Sequence, residues 1–406
     1  MAGKSGKPRK VRVDFRTNRT PRRRNDDWTR LYHDEQEKLF DHTSKESVRA
    51  KGDLSRKRTI IVDDADAPVV DEAQWRPGVV IAVLGVTCRV EDAGGNEWDC
   101  SVRRVIRTRM IDQRTAVAVG DRVWFSDQSS TQGGAPIGVV ERVAPRRTIL
   151  SRKEFRGREH ILVANADQLL IVTSVRRPSL KPHLIDRYLV AAGRGDLRPI
   201  ICLNKWDLLE AEQGDEHTLR EEDESEDEEW ITGPVTVEEI VGEYEELGYC
   251  VLPVSAATGL GIDELRAELK DRVTVLSGQS GVGKSSLINR VQPGLDLAVQ
   301  EVSDENEKGR HTTTHGRLHR LEFGGHVIDT PGIRQFDLWS VPPGELEAFF
   351  VEFEPLISQC RFNDCHHVNE QGCAVRAAAD AGEISARRYA SYLKMLDELA
   401  EARRGG

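Results

Sequence analysis

Polar and charged side chains fill residues 1–72, and no apolar period of two or of 3.6 runs through them. That texture predicts a basic, mostly disordered arm. From Trp75 the pattern changes to short alternating stretches, RPGVVIAVLGVTCRVED, NEWDCSVRRVI, VGDRVWFS and APIGVVERVAPR, separated by Gly, Asn and Asp turns. Five or so short strands over 73–150 predict a small closed barrel of the OB type, a fold that often binds nucleic acid.

After the connection ILSRKEFRGREHILVANADQ comes DQLLIVTSV, a continuous apolar run suited to a strand covered on both faces. LIDRYLVAAGR has helical spacing, and RPIICLNKWDLL reads as a second buried strand. VTVEEIVGEYEELGY predicts a helix, CVLPVSA a strand, GIDELRAELK a helix and RVTVLS a strand. Strands alternating with helices imply a parallel sheet, so 151–340 reads as one α/β domain. EISARRYASYLKMLDELAEAR closes the chain as a charged amphipathic helix within a helical domain spanning 341–406.

The chain has 406 residues and a formal net charge of −10. That charge conceals an asymmetry: residues 1–30 hold eleven Lys and Arg against three Asp, whereas 210–229 hold twelve Asp and Glu against one Arg. The arm is either an RNA contact or a solubilising tail, and the acidic stretch reads as a loop inserted into the α/β domain. Arg103, Arg104, Arg107, Arg109, Arg146 and Arg147 either form a nucleic-acid face on the barrel or decorate a solvated exterior. No apolar run approaches the roughly 18 residues of a membrane span, and no apolar segment follows the basic N-terminal stretch. A soluble, cytoplasmic, monomeric protein with no membrane partner is expected. Of seven cysteines, Cys88, Cys100, Cys202 and Cys250 read as small apolar residues in or beside strands, and three crowd into 360–373.

GQSGVGKSS, residues 278–286, fits the phosphate-loop pattern G-x-x-x-x-G-K-[ST] between a strand and a helix. Gly278, Gln279, Ser280, Gly281, Val282, Gly283 and Ser286 supply backbone that can converge on phosphate oxygens at a helix N-terminus. Lys284 is expected on the β- and γ-phosphates and Ser285 on Mg²⁺. DTPGIRQF begins at Asp329, which can hold Mg²⁺ through water, and the Gly332 amide can sense a γ-phosphate. Between them, GRHTTTHGRL contains a threonine able to complete the Mg²⁺ shell; spacing favours Thr314, with Thr313 its rival.

NKWD, residues 204–207, precedes these elements. A carboxylate at Asp207 accepts from guanine N1–H and the 2-amino group, donors that adenine lacks. Asn204 is expected on the purine edge, the Lys205 stem along the base, and the backbone at Ser255 and Ala256 near guanine O6. These are five guanine-nucleotide elements with the base readers first and the phosphate readers last, so the chain reads as circularly permuted. A non-enzymatic RNA-binding protein is disfavoured by Lys284, Ser285 and Asp329, and an ATP-driven enzyme by NKWD.

CRFNDCHHVNEQGC offers Cys360, Cys365, His367 and Cys373, a three-thiolate, one-imidazole set for a closed structural Zn²⁺ site, with His366 as an alternative ligand. With LIDRYL, GQSGVGKSSLIN, GRHTTT, DTPGIR and CRFNDCHH in that order, the chain resembles the circularly permuted GTPases that assist maturation of the bacterial small ribosomal subunit. The resemblance covers about residues 75–400. It implies an OB-fold domain, a GTPase domain binding GTP and GDP, and a zinc domain. It also implies that these bind 16S rRNA on the 30S subunit, that the 30S particle stimulates hydrolysis, and that hydrolysis is coupled to release. Gln371 stands where that family usually has proline, and neither the acidic insert nor the arm takes a role from the resemblance. Ile333 occupies the position of a water-orienting glutamine and cannot polarise water, which leaves His311 as the candidate to align the nucleophile or as a solvated loop histidine.

Overall fold

The structure is a computed structural model. It describes residues 75–103, 106, 116–129, 136–153, 159–211, 236–295, 316–329 and 341–404, and the backbone of two further strands. Those strands are β1 (Arg9–Asp14) and β2 (Lys57–Val62), paired antiparallel from Arg9 opposite Val62 to Asp14 opposite Lys57. The polar texture of the arm gave no reason to expect this ladder; its only local signal is the β-branched residues in RKVRVD and KRTIIV. The remainder of the arm lies outside the described residues, as does the acidic insert beyond Ala211.

The chain divides into two compact units. In the first, β3 (Trp75–Leu84), β4 (Thr87–Asp92), β5 (Glu97–Val102), β6 (Arg122–Asp127) and β7 (Ile137–Val143) run in the order β3-β4-β5-β7-β6, and β6 returns to β3. The β5–β7 pair is parallel and the others antiparallel, as in an OB-type five-stranded barrel. Alternation decides which side chains face inward: Val80, Val90, Trp98, Cys100, Phe125 and Val140 fill the interior.

The second unit opens with β8 (Ile149–Lys153) and β9 (Glu159–Ala164), an antiparallel pair where a plain connection was expected. It continues through β10 (Gln168–Ser174), α1 (Pro182–Arg194), β11 (Arg198–Asn204), α2 (Asp207–Ala211), α3 (Val237–Glu246), β12 (Cys250–Pro253), α4 (Ile262–Leu269), β13 (Val273–Ser277), α5 (Lys284–Val291), β14 (Arg317–Arg320) and β15 (His326–Asp329). The sheet order is β12-β11-β10-β13-β15-β14, parallel except for β14. Every residue of β10 is buried, which explains its unbroken apolar run. The register sets Ser174 beside Asn204 and Ile171 beside Ser277, so β10, β11 and β13 end at one edge. In an open α/β sheet, ligands bind beyond the carboxyl ends of the strands.

A helical segment follows: a 3₁₀ helix (Pro343–Phe349), α6 (Glu354–Ile357), α7 (Ala374–Asp380) and α8 (Ala386–Arg404). Its core gathers Leu346, Phe350, Phe353, Val375, Tyr392 and Met395, and takes in Val190 from α1. It falls in the same compact unit as the sheet. The reason is close packing on α1, where a Cβ at Gly193 would stand 2.7 Å from the Phe349 ring. Among the described residues no helix is long and apolar enough to cross a membrane.

The barrel turn after β4 depends on Asp92, whose carboxylate accepts the Gly94 and Asn96 amides at 2.9 and 3.0 Å and Trp98 Nε1 at 3.0 Å. The Asn96 backbone bond leads the causes that hold its pKa at about 2. A carboxyl depressed on folding adds stability above its ordinary pKa and loses it as pH falls toward the folded value. Asp92→Ala should therefore lower the barrel's stability by about 1 kcal/mol at neutral pH, a figure reduced for the site's solvent access. Chemical denaturation should show that gap constant from pH 7 to about 4 and closing toward pH 2.

Candidate nucleotide site and metal centre

Four strand ends converge on the nucleotide site: β11 at Asn204, β12 just before Ser255, β13 before Gly278 and β15 at Asp329. Gly278 has φ +146° and its Cβ would lie 1.9 Å from the Val172 carbonyl, so only glycine lets the phosphate loop leave β13 against β10. Gly283, at φ +91°, caps α5, and a Cβ there would meet Asn204 Nδ2 at 2.5 Å. The two motifs, distant in sequence, are thus in contact.

Asn204, 1 % exposed, makes that contact. Its Nδ2 donates to the Val282 carbonyl at 2.8 Å and its Oδ1 accepts the Ala256 amide at 3.1 Å. Lys205 Nζ donates to the Gly281 carbonyl at 2.8 Å and to the Arg177 carbonyl. Burial lowers the Lys205 pKa, Arg177 lowers it further, and Asp207 opposes both. Asp207 Oδ1 accepts the Ser255 hydroxyl at 2.5 Å, and Ser255 Oγ accepts the Thr258 amide at 3.1 Å, so the carboxylate is oriented by a fully buried serine.

Asn204 and the Ala256 amide, assigned to the purine, are bonded to each other, and Asn204 reaches the phosphate loop. Lys205 is held by two backbone carbonyls, because an ammonium in a half-buried loop needs acceptors. Lys284 Nζ donates to the Gly278 and Gln279 carbonyls at 2.8 and 2.6 Å, across the mouth of its own loop. Val282 is buried in the sheet core beside Leu287 and Ile288, while Gln279, Ser280, Gly281, Ser285 and Ser286 form the loop and the first turn of α5. Burial raises the Asp329 pKa, and the nearby Lys284 is the leading group that counters it. His311, Thr313, Thr314, Gly332 and Ile333 lie outside the described residues, as do Arg104, Arg107 and Arg109. Arg103 is paired with Glu141 at 2.6 Å and Arg147 with Asp167 at 3.6 Å.

Cys360, Cys365, His367 and Cys373 place their ligand atoms within 4.8 Å of one another. His367 Nδ1 stands 3.6 Å from Cys360 Sγ and 3.4 Å from Cys373 Sγ, and the two sulfurs are 4.0 Å apart. A tetrahedral ion with ordinary Zn–S and Zn–N bonds requires about 3.6 Å and about 3.8 Å for such edges, so the set fits. His367 Nε2 faces Glu347 Oε2 at 2.5 Å, which fixes the ring with Nδ1 toward the thiols. Tyr389 and Tyr392 donate to the His367 and His366 carbonyls at 2.6 and 3.0 Å, and the Glu370 carboxylate accepts the His366, Val368 and Asn369 amides. His366 is exposed, which favours His367 of the two adjacent imidazoles. Glu347 and the two tyrosines carry no sequence signal at metal-ligand spacing.

A parallel sheet with base-reading and phosphate-gripping loops on one edge, read in inverted chain order, defines a circularly permuted P-loop GTPase. Residues 143–339 match the family model described as RsgA GTPase. The small ribosomal subunit biogenesis GTPase RsgA of Shewanella oneidensis is 38 % identical over 84 % of this chain and 89 % of its own length. Its counterpart RsgA 1 of Vibrio vulnificus is 38 % identical over 87 % of this chain and 93 % of its own. Among solved structures, YjeQ from Thermotoga maritima is 33 % identical with a TM-score of 0.60, covering 80 % of this chain and 99 % of its own. YloQ, described as a circularly permuted GTPase, is 26 % identical with a TM-score of 0.56, covering 82 % and 98 %. The chain belongs to the RsgA GTPase family, and it is a GTPase.

The metal centre makes a separate expectation. Elemental analysis of the purified chain should find about one tightly held divalent ion, and Cys365→Ser should lose it with a fall in thermal midpoint of roughly 5 °C or more. A variant that keeps its metal and its melting temperature would remove the centre.

Proposed function

We propose that the chain is a cytoplasmic ribosome-biogenesis GTPase that binds 16S rRNA on the 30S subunit late in maturation. On this reading the 30S particle stimulates hydrolysis, and hydrolysis is coupled to release. The observation that supports this reading is the junction of Asn204 and Lys205 with Val282 and Gly281, which brings the segment read as guanine-recognising against the phosphate loop. The relatives named above are small ribosomal subunit biogenesis GTPases, and likeness to them supports the partner.

In this reading Asp207, oriented by Ser255, accepts from the two guanine donors, and adenine would leave the carboxylate unsatisfied. The amides from Gly278 to Ser286 and the Lys284 ammonium cradle the phosphates once Lys284 exchanges its two loop carbonyls for phosphate oxygens. Ser285 and Thr314 would hold Mg²⁺, with Asp329 beside them, and the Gly332 amide would sense the γ-phosphate. Mg²⁺ supplies charge neutralisation at the phosphates. Zn²⁺ at the Cys₃His set is structural, because four protein ligands leave no open position. His311 aligns the attacking water in place of the absent glutamine.

Purified protein should hydrolyse GTP slowly alone and at least tenfold faster with 30S particles, a factor well inside what partner proteins give GTPases. An unchanged rate would remove the 30S reading. Asp207→Asn converts an acceptor into a donor, so it should weaken GTP binding by about two orders of magnitude and recover activity with xanthosine triphosphate, whose O2 accepts. His311→Ala should reduce 30S-stimulated turnover by about 10²-fold while leaving GTP affinity within about twofold. Equal turnover in that variant would return His311 to the solvated loop.

A further inference from the structure

LIDRYL and ISARRYASYL each set charge among apolar helical positions, and the guanine pocket uses neither. Asp186, on α1, is fully buried. Its carboxylate accepts from Arg388 Nη1 at 2.6 Å, Tyr244 Oη at 2.7 Å and Arg387 Nη1 at 3.1 Å. Arg388 also forks onto Glu352 at 2.7 and 3.0 Å and lies 4.6 Å over the Phe350 ring. Arg387 forks onto Glu243 on α3 at 2.9 and 2.6 Å. Burial opposes the Asp186 charge, and Arg388 followed by Arg387 outweighs it, so the carboxyl stays below its ordinary range. Paired guanidinium forks fix angles as well as distances, which a point charge does not.

This cluster also touches the start of α1. Tyr244 Oη also lies 3.1 Å from the carbonyl of Pro182, the first residue of α1. The preceding turn is tied to the sheet by Ser174 Oγ donating to the Pro178 carbonyl at 2.8 Å. The same turn presents the Arg177 carbonyl to Lys205 Nζ, which reaches on to Gly281 of the phosphate loop. Hydrogen bonds at both ends of the short backbone stretch from Arg177 to Pro182 therefore link α8, in the segment with the Cys and His cluster, to Lys205 and through it to the phosphate loop.

We propose that Arg388 is a positioning residue for guanine-nucleotide binding: by holding Asp186 it sets the start of α1, and with it the Arg177 carbonyl on which Lys205 rests. The metal-bearing segment is then part of the nucleotide site's support and not solely a contact for a partner. This inference rests on the guanine-site reading above.

The test is the affinity and release rate of a fluorescent GDP analogue on the full chain, with metal content and thermal midpoint measured alongside. Arg388→Gln and Asp186→Asn should each weaken GDP and a nonhydrolysable GTP analogue by about tenfold, mainly through faster release. Arg388→Lys, which keeps the charge and loses the fork, should recover part of the loss. Arg187→Gln removes another ion pair between the same helices, Arg187 with Glu398, and should stay within about twofold because it does not touch Asp186. Wild-type affinity in a folded, metal-loaded Arg388→Gln or Asp186→Asn would overturn the inference, as would an equal loss in Arg187→Gln. If neither substitution folds, Arg388→Lys decides, and wild-type affinity in it overturns the proposal. A wild-type chain that fails to bind GDP would instead sink the guanine-site reading.

Discussion

One buried amide holds the nucleotide site together. The Asn204 side chain spans from the Ala256 amide to the Val282 carbonyl, and so closes the ends of β11, β12 and β13 around one point. Any apolar replacement would leave two backbone groups without that partner in a buried site, at about 1–3 kcal/mol each. The glycine at 283 follows from the same constraint, since a Cβ would occupy the place of Asn204 Nδ2. The NKWD segment and the phosphate loop are therefore mechanically one object, and Lys205 reinforces the joint through the Gly281 carbonyl.

That joint explains why circular permutation is tolerated. The register of the parallel strands brings Asn204, Ser277 and Pro253 to a common edge without regard to which strand was made first. Hydrogen bonds across the edge depend on distance, and chain order enters only through the loops that connect the strands. What the permuted order changes is the neighbour: β15 ends at Asp329, the start of the DTPGIRQF segment, and the next described element is the 3₁₀ helix whose Glu347 orients the metal-facing imidazole.

The helices around the Cys and His cluster and the sheet then share one compact unit through α1. A helix facing a sheet on one side normally shows a polar outer face, yet α1 buries Ile185, Tyr188 and Leu189 together with Asp186. The charge is compatible with burial because two guanidiniums from α8 and a phenol from α3 satisfy it. Removing both arginines would leave the Asp186 carboxylate buried and unpaired, so the fold around α1 depends on the helices of the C-terminal segment.

The residues alone determined the barrel, the alternating strands and helices of the parallel sheet, the phosphate-loop pattern and the spacing of the Cys and His cluster, because each rests on a local period or a fixed spacing; the β8–β9 pair and β14 carried no such period and were missed. The strand edges also carried the burial of Cys88, Cys100 and Cys202, read correctly as small apolar positions. Only the tertiary structure decided that Asn204 bonds the phosphate loop, that Lys205 rests on the Arg177 and Gly281 carbonyls, and that Asp186 is shared by Arg387 and Arg388. The physical reason is range: those partners are separated by 28 to 202 positions, and no local pattern records which side chain meets which backbone carbonyl once β11 lies two strands from β13.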